Sequence, residues 1–303
     1  MIALQELTIE DKAVFERYTK GKLENSGSSF SNMFIWRNTY DTKYALVDGF
    51  LVVFYQSKKG TIHPTMPRGT GNLLSVLQKI HAFLSSINQE FVMEAVTEED
   101  TATLRKLLGN RVVVCEERNL FDYVYLAQDL ITLSGKKLHS KRNHINKFNS
   151  LYQWEYRPLT PDLFEQCLAC ADVWLGEKYD ADDPDYKGEM LSLREAFRHF
   201  EALGFSGGTL FVDGKMVAFT IGEQLTDDMA LIHIEKADVS YQGAYPMINK
   251  EYASHQWSDM TYINREEDLG IPGLRKAKLS YNPYKLIKTY TCKLYPENEG
   301  GTL

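Results

Sequence analysis

Twice along this chain an Asp-Gly pair sits between two apolar runs: Asp48-Gly49 between Lys43–Val47 and Phe50–Tyr55, and Asp213-Gly214 between Thr209–Val212 and Lys215–Gly222. A two-residue Asp-Gly loop turns two strands back on each other as a tight antiparallel hairpin, because both residues tolerate positive φ. Each hairpin has a valine directly before the aspartate, so Val47-Asp48-Gly49 reappears as Val212-Asp213-Gly214. At 303 residues the chain exceeds what one hydrophobic core serves, and two domains of roughly 150 residues each are expected.

The elements around the two hairpins follow one order. In the first half Thr8 caps a helix with Asp11 three residues on, and Val14, Phe15 and Tyr18 mark its inner face. A Gly/Ser-rich loop, a short aromatic helix (Phe34, Trp36, Tyr40) and the hairpin come next. A strand, the Pro67–Gly71 loop and a helix with the stripe Leu73, Leu77, Ile80 and Leu84 then lead to a strand at Phe91–Val96. A helix opened by Thr97 and closed by Gly109 precedes strands at Arg111–Glu116 and Phe121–Ala127. In the second half Thr160-Pro161 opens a helix, another runs from about Gly188 to Leu203, and the hairpin follows. Then come the strand MALIHIEKAD, a helix from about Gln242 to Gln256 and the strand MTYIN. Helices, hairpin, then strand–helix–strand is the element order of the GNAT acyltransferase fold, and its recurrence points to an internal duplication. The expected class is α/β (α+β by some schemes): tandem GNAT-like domains, each a mixed, mostly antiparallel sheet flanked by helices. The expected boundaries are 1–128, a basic interdomain helix at 129–150, and 151–303.

Two stretches carry a family likeness. In DLITLSGKKLHSKRNHINKF these are Leu133, Gly135, Lys141, Arg142, Asn143, His144 and Phe148; in YINREEDLGIPGLRKAKLSYNP they are Asn264, Arg265, Asp268, Gly270, Gly273, Leu274, Arg275, Lys276, Lys278, Ser280 and Tyr281. Together they resemble the bacterial family named for the C-terminal domain of phosphatidylglycerol lysyltransferase, a tandem-GNAT group related to the Fem aminoacyl-tRNA transferases. The resemblance implies transfer of an activated acyl or aminoacyl group, from a donor such as aminoacyl-tRNA, to an amine or hydroxyl acceptor. Small-molecule and lipid-headgroup acceptors both fit it. A CoA-dependent N-acetyltransferase and a non-catalytic nucleotide- or anion-binding protein are the alternatives.

Charge narrows the options. With 34 basic and 41 acidic residues the net is −7, so nucleic acid and anionic lipid are repelled by the chain as a whole and any anion site must be local. The one basic concentration is GKKLHSKRNHINKF, with Lys136, Lys137, Lys141, Arg142, Lys147, His139 and His144. It reads either as a landing site for tRNA phosphates or a nucleotide-bearing donor, or as a solvated interdomain helix with Ile145 and Phe148 inward.

The second basic-acidic block ends a strand at Asn264, continues through Arg265 and Asp268, turns at Gly270 and Gly273, and brings in Lys276 and Lys278. A strand end opening into a glycine-rich turn offers a cleft where a guanidinium grips a carboxylate or phosphate bidentately. A salt-bridged turn is the alternative. On MALIHIEKAD, His233 and Glu235 share one face and are candidate general bases, with Tyr281 as a candidate proton donor.

A CoA-binding GNAT clasps pyrophosphate on a glycine-rich helix start. Here the corresponding SYQGAYPMINKEY has Gly243 alone, whereas PRGTGNLL in the first half offers Arg68, Gly69 and Gly71 as a candidate anion site or a simple turn. No cofactor is required by the motifs, with aminoacyl-tRNA or acyl-CoA as the candidate donor. The C-x-x-C at Cys167 and Cys170 lacks two further ligands, so no metal is expected. The acidic start MIALQELTIEDK has no secretory pattern and no run approaches the roughly 18 apolar residues of a span, which predicts a cytoplasmic chain without integral membrane association.

Overall fold

A computed structural model describes residues 2–19, 21–296 and 303. The chain divides into two compact units: unit 1 comprises Met1–Lys22, Gly27–Phe121 and Lys288–Leu303, and unit 2 comprises Leu23–Ser26 and Asp122–Ile287.

In chain order the strands are β1 (Gln5–Glu6), β2 (Lys43–Val47), β3 (Phe50–Gln56), β4 (Ile62–Pro64), β5 (Arg68–Gly69), β6 (Val92–Thr97), β7 (Val112–Glu116), β8 (Asp122–Leu126), β9 (Trp154–Pro158), β10 (Ser206–Val212), β11 (Lys215–Gln224), β12 (Met229–Ala237), β13 (Tyr262–Asn264), β14 (Lys285–Ile287) and β15 (Thr289–Leu294). The α-helices are α1 (Lys12–Thr19), α2 (Phe30–Trp36), α3 (Leu73–Ser86), α4 (Glu98–Leu108), α5 (Ala127–Thr132), α6 (His139–Leu151), α7 (Phe164–Gly176), α8 (Pro184–Arg198), α9 (Phe200–Leu203), α10 (Ala244–Gln256) and α11 (Pro272–Leu279).

In unit 1, β1-β2-β3-β4 form an antiparallel sheet with β5 added to β3, and β6-β15-β7 form a second, also antiparallel. The α3 stripe at Val76, Leu77, Ile80 and Leu84 packs with Val52, Phe54 and Met93 in one core. Unit 2 is a single seven-stranded sheet in the order β14-β8-β13-β12-β11-β10-β9, antiparallel except for the β12–β13 pair. Its core joins Tyr125, Phe148, Leu210, Val217, Ile232, Met247, Ile248 and Ile263.

The repeated hairpins are equivalent in backbone as well as sequence. Asp48 and Gly49 take φ of 49° and 81°, and Asp213 and Gly214 take 50° and 80°. Both central residues have positive φ, as a type I′ turn requires. The three remaining strands of each unit match in order too: β6-β15-β7, a separate sheet in unit 1, has the order of β13-β8-β14 within the sheet of unit 2.

That order moves the boundaries. Residues 288–303, expected in the second domain, belong to unit 1, where β15 is the middle strand between β6 and β7. Residues 122–128, expected in the first domain, belong to unit 2, where β8 lies between β13 and β14. The expected interdomain helix is part of unit 2 as well, because Lys141, Ile145 and Phe148 of α6 are buried in it. α8 starts four residues before the expected Gly188, since Asp183 caps it and Pro184 occupies its first turn, where no amide donor is needed.

Candidate functional site

The parallel pair β12–β13 is short. Met229, Ala230 and Leu231 face Tyr262, Ile263 and Asn264, after which β12 runs on alone to Ala237 along that edge. Glu235 lies on this extension, and Arg265 is the first residue past the end of β13. Their side chains meet, with Arg265 Nη2 donating to Glu235 Oε1 at 2.7 Å and each side chain only 12% exposed. The second carboxylate oxygen of Glu235 accepts from Asn249 Nδ2, on α10, at 3.0 Å.

Aromatic rings frame this pair. The Arg265 guanidinium stands 4.9 Å from the centre of the Tyr281 ring and 5.7 Å from that of Tyr125. Lys141 of α6 places its Nζ 4.0 Å over the same Tyr281 ring. Tyr125 donates its hydroxyl to the carbonyl of Lys278 at 2.8 Å. Burial, followed by the neighbouring charge of Arg265 and opposed by Glu235, brings the Lys141 ammonium down to about 8. Burial likewise raises the Tyr281 hydroxyl, against the pull of Arg265.

Two atoms in this cluster are buried without a hydrogen-bond partner: Arg265 Nη1 and Asn249 Oδ1. The bond from Asn249 Nδ2 to a carboxylate fixes which way the amide points, so the orphan atom is the acceptor oxygen. By hydrogen-bond geometry a donor and an acceptor thus stand unmatched on the two residues that hold one carboxylate, with the guanidinium close enough to the Tyr281 hydroxyl to act on it.

The remaining sequence candidates fall elsewhere. His233 is not a free base: its two ring nitrogens donate to Glu223 and Glu266, each at 3.0 Å, and its side chain is 1% exposed. Burial works against its charge, but the two carboxylates overcome that and raise it to about 9, which keeps the ring protonated at neutral pH. Lys278 aims its Nζ at the carbonyls of Arg265, at 2.5 Å, and Glu267, so it braces the loop backbone instead of facing a ligand. Lys276 is exposed.

Asn264 bonds Asp122, the Glu24 carbonyl and the Glu266 amide. Asp268 accepts Arg275 through two bonds and also Tyr123 and the Gly270 amide, which together overcome its burial and hold its carboxyl well below the usual range. These contacts knit a loop in which Glu266 and Leu269 take φ of 56° and 52°, and they position Arg265 from behind. Burial, then the charges of Glu266 and Asp122, lift the Glu267 carboxyl to about 8.

The basic junction splits in two. Lys136, Lys137, His139, His144 and Lys147 are exposed, whereas Lys141 turns inward. Arg142 donates Nη1 to the carbonyls of Leu133 and Gly135, clasping the turn before α6, and Asn143 meets His139 on the helix surface at 3.3 Å. In unit 1, Arg68 grips Asp100 with bonds of 2.7 and 2.6 Å, so its fork is already occupied. Gly69 is needed for packing, since a Cβ there would stand 2.5 Å from the Gly49 carbonyl oxygen. Gly71 has a φ of 136° at the turn into α3, where the Asn72 side chain accepts from the Ser75 amide. The candidate anion loop is thus a packed turn.

Gly243, at the helix start where a CoA-binding GNAT would clasp pyrophosphate, is covered. It has a φ of 98°, and a Cβ on it would meet the His144 carbonyl oxygen at 2.8 Å, so α6 sits against the start of α10.

Sequence reasoning missed Asn249 and Tyr125. Both carried a signal, namely a polar group on the inner face of an otherwise apolar element. Among the described residues no cluster of three or more His, Cys, Asp or Glu is placed to hold a metal, and no helix is long and apolar enough to cross a membrane.

An antiparallel meander with a tight Asp-Gly hairpin, followed by a strand–helix–strand set, recurs in the two units, with a parallel strand pair in unit 2, and defines a tandem GNAT-like protein. The fold of a tandem GNAT protein from the clavulanic acid biosynthesis pathway matches it with a TM-score of 0.55, at 9% identity over 98% of this chain and 100% of that one. The chain belongs to the family described as phosphatidylglycerol lysyltransferase, C-terminal, whose pattern matches residues 19–293. The structure of L-PGS from Bacillus licheniformis shares the fold, with a TM-score of 0.64 at 15% identity over 96% of this chain and 93% of that one. A conserved protein of unknown function from Bacteroides thetaiotaomicron is 40% identical, with a TM-score of 0.90 over 97% of this chain and 100% of its own. An uncharacterised protein of Mycoplasmoides gallisepticum is 26% identical over 179 residues, 57% of this chain; the match spans about half, 56%, of that relative's length.

Proposed function

We propose that the chain transfers an aminoacyl group from an activated ester to an amine or hydroxyl acceptor, in the gap of unit 2 where β12 and β13 part. The observation that carries this reading is the unmatched pair beside Glu235: a buried donor on Arg265 and a buried acceptor on Asn249. Buried polar groups without partners are costly, so a ligand that supplies both partners is favoured. An aminoacyl ester carries a carbonyl oxygen to accept from Arg265 Nη1 and, next to it, an ammonium to donate to Asn249 Oδ1. As the acceptor attacks the carbonyl carbon, negative charge grows on that oxygen, and a preorganised guanidinium stabilises it there. Glu235 holds the guanidinium in place. We assign it this positioning role and not that of the base, since each of its oxygens already accepts one hydrogen bond.

The family's description, a lysyltransferase, supports aminoacyl transfer over other acyl chemistry. The covered Gly243 argues against a CoA donor, whose pyrophosphate needs open amides at that helix start. The exposed Lys136, Lys137 and Lys147 beside α6 suit the phosphates of a tRNA donor, with a small hydroxylated molecule or a lipid headgroup as acceptor. A non-catalytic anion-binding protein would not need an acceptor oxygen buried next to the guanidinium.

The test is to incubate the purified chain with a mixed pool of aminoacylated tRNA, and separately with acetyl-CoA, each with hydroxylamine as a generic acceptor. Release of aminoacyl hydroxamates, lost in Arg265→Ala, is the expected outcome. Acetyl transfer without aminoacyl transfer would replace this reading with the CoA-dependent one.

A further inference from the structure

We propose that Lys141 is the proton carrier of this site: its amine takes the proton from the acceptor's nucleophilic atom as the new bond to the acyl carbon forms, and returns it to the departing ester oxygen. This inference rests on the transferase reading above. The step balances within the site. The nucleophile's electron pair makes the N–C or O–C bond, the ester C–O bond breaks with its pair going to the leaving oxygen, and one proton moves through Nζ.

The geometry singles out this lysine. Lys141 is 9% exposed, yet among the described residues its Nζ makes no hydrogen bond and no ion pair; its one close partner is the Tyr281 ring at 4.0 Å. The other groups expected to move protons are committed. Glu235 accepts from Arg265 and Asn249, and His233 is locked as a cation between Glu223 and Glu266. Arg265 shares the Tyr281 ring at 4.9 Å, so Lys141 stands on the same aromatic platform as the guanidinium that receives the carbonyl oxygen.

The charged and titratable groups facing Lys141 come from three directions: Arg265 after β13, Glu235 on β12 and Tyr281 after α11. From α10, which packs on α6, Tyr245 stands near Glu235. One carboxylate against two cations leaves the amine under-compensated, and burial adds to this. With its proton held at about 8, below the ordinary 10.5, far more of Lys141 is neutral near pH 7 than of an ordinary lysine. An amine poised there both accepts and returns a proton readily. Leu138, just before α6, and Ile145, one turn after Lys141, are buried as well, so Lys141 belongs to the inward face of the helix.

Two measurements on the full chain test this. In the first, protein labelled with carbon-13 at the lysine side chains is titrated by NMR. The Lys141 resonance, identified by its loss in Lys141→Arg, is expected to titrate about two units below the surface lysines, whereas Lys278, which burial also lowers, persists in that variant. A Lys141 signal that titrates together with the surface lysines overturns the proposal.

In the second, single-turnover transfer from aminoacylated tRNA is followed from pH 6 to 10 with two acceptors: hydroxylamine, which is a good nucleophile without help, and glycerol, whose hydroxyl must lose a proton. Lys141→Arg keeps the charge and should slow transfer to glycerol about 100-fold and flatten its pH dependence, while slowing transfer to hydroxylamine far less. Equal losses with both acceptors, or an unchanged pH profile, overturn it, with thermal melting confirming that the variant is folded. Wild-type protein that transfers to neither acceptor sinks the transferase reading and this proposal together, and the NMR midpoint then separates that failure from a lysine of ordinary basicity.

Discussion

Arg265 and Glu235 meet at 2.7 Å beyond the last paired residues of β12 and β13, and both are nearly buried. Removing the carboxylate leaves a guanidinium buried with nothing to balance it. Glu235→Ala is therefore expected to lower stability by about 3–5 kcal/mol, and Glu235→Gln, which keeps the bond acceptor but not the charge, by less. Urea unfolding of the two variants against the parent chain measures both, and equal stability of all three would remove the ion pair from the account.

In the proposed function the guanidinium has two jobs, one nitrogen on Glu235 and the other, buried without a partner, for the ligand. A lysine ammonium supplies charge but not a planar fork. Arg265→Lys should therefore weaken binding of a non-hydrolysable aminoacyl-adenosine amide nearly as much as Arg265→Ala, by tenfold or more, in calorimetric titrations. Near-normal binding by the lysine variant would mean that charge alone holds the ligand.

His233 gives a pH signature that is independent of any ligand. Its folded pKa is raised to about 9 from an ordinary 6.5, so its contribution to stability is complete below about 6.5 and is lost as pH climbs through 9. His233→Gln should cost about 3 kcal/mol near pH 6 and progressively less toward pH 9.5. A deficit constant across that range, read from chemical unfolding at several pH values, would show that the ring is not the charged bridge between Glu223 and Glu266.

Gly243→Ala addresses the contact of α6 with the start of α10. The substitution asks alanine to adopt a φ of 98° and to push its methyl against the His144 carbonyl oxygen. A loss of about 1–3 kcal/mol is expected, through strain and a parted α6–α10 contact. A neutral effect in thermal melting would mean that α6 yields easily.

Much of the fold is legible because its signals are local. The Asp-Gly turns, the Thr8 and Thr97 caps and the α3 stripe depend on neighbours within one turn or one hairpin. The site is less legible because its partners come from β12, α10, α6 and the loop after β13. In the sequence Lys141 looks like one more cation in a basic run, and only the burial of Ile145 and Phe148 on the same helix face reveals that it points inward. Arg68 and Asp268 mislead in the opposite sense. Both look like ligand-binding residues, and both are consumed by a partner, Asp100 for one and Arg275 for the other. Charge in a sequence does not disclose its counter-charge.

The strand β15 is the middle of a three-stranded sheet whose outer members, β6 and β7, were both completed by residue 116. A ribosome making this chain therefore releases the flanks of that sheet long before the strand that joins them, and two exposed edges must wait while some 170 residues are added. Unpaired edges are the places where chains join one another wrongly. The waiting interval should make the nascent chain depend on holding chaperones, and slower translation between the two halves should raise the yield of insoluble protein instead of improving it.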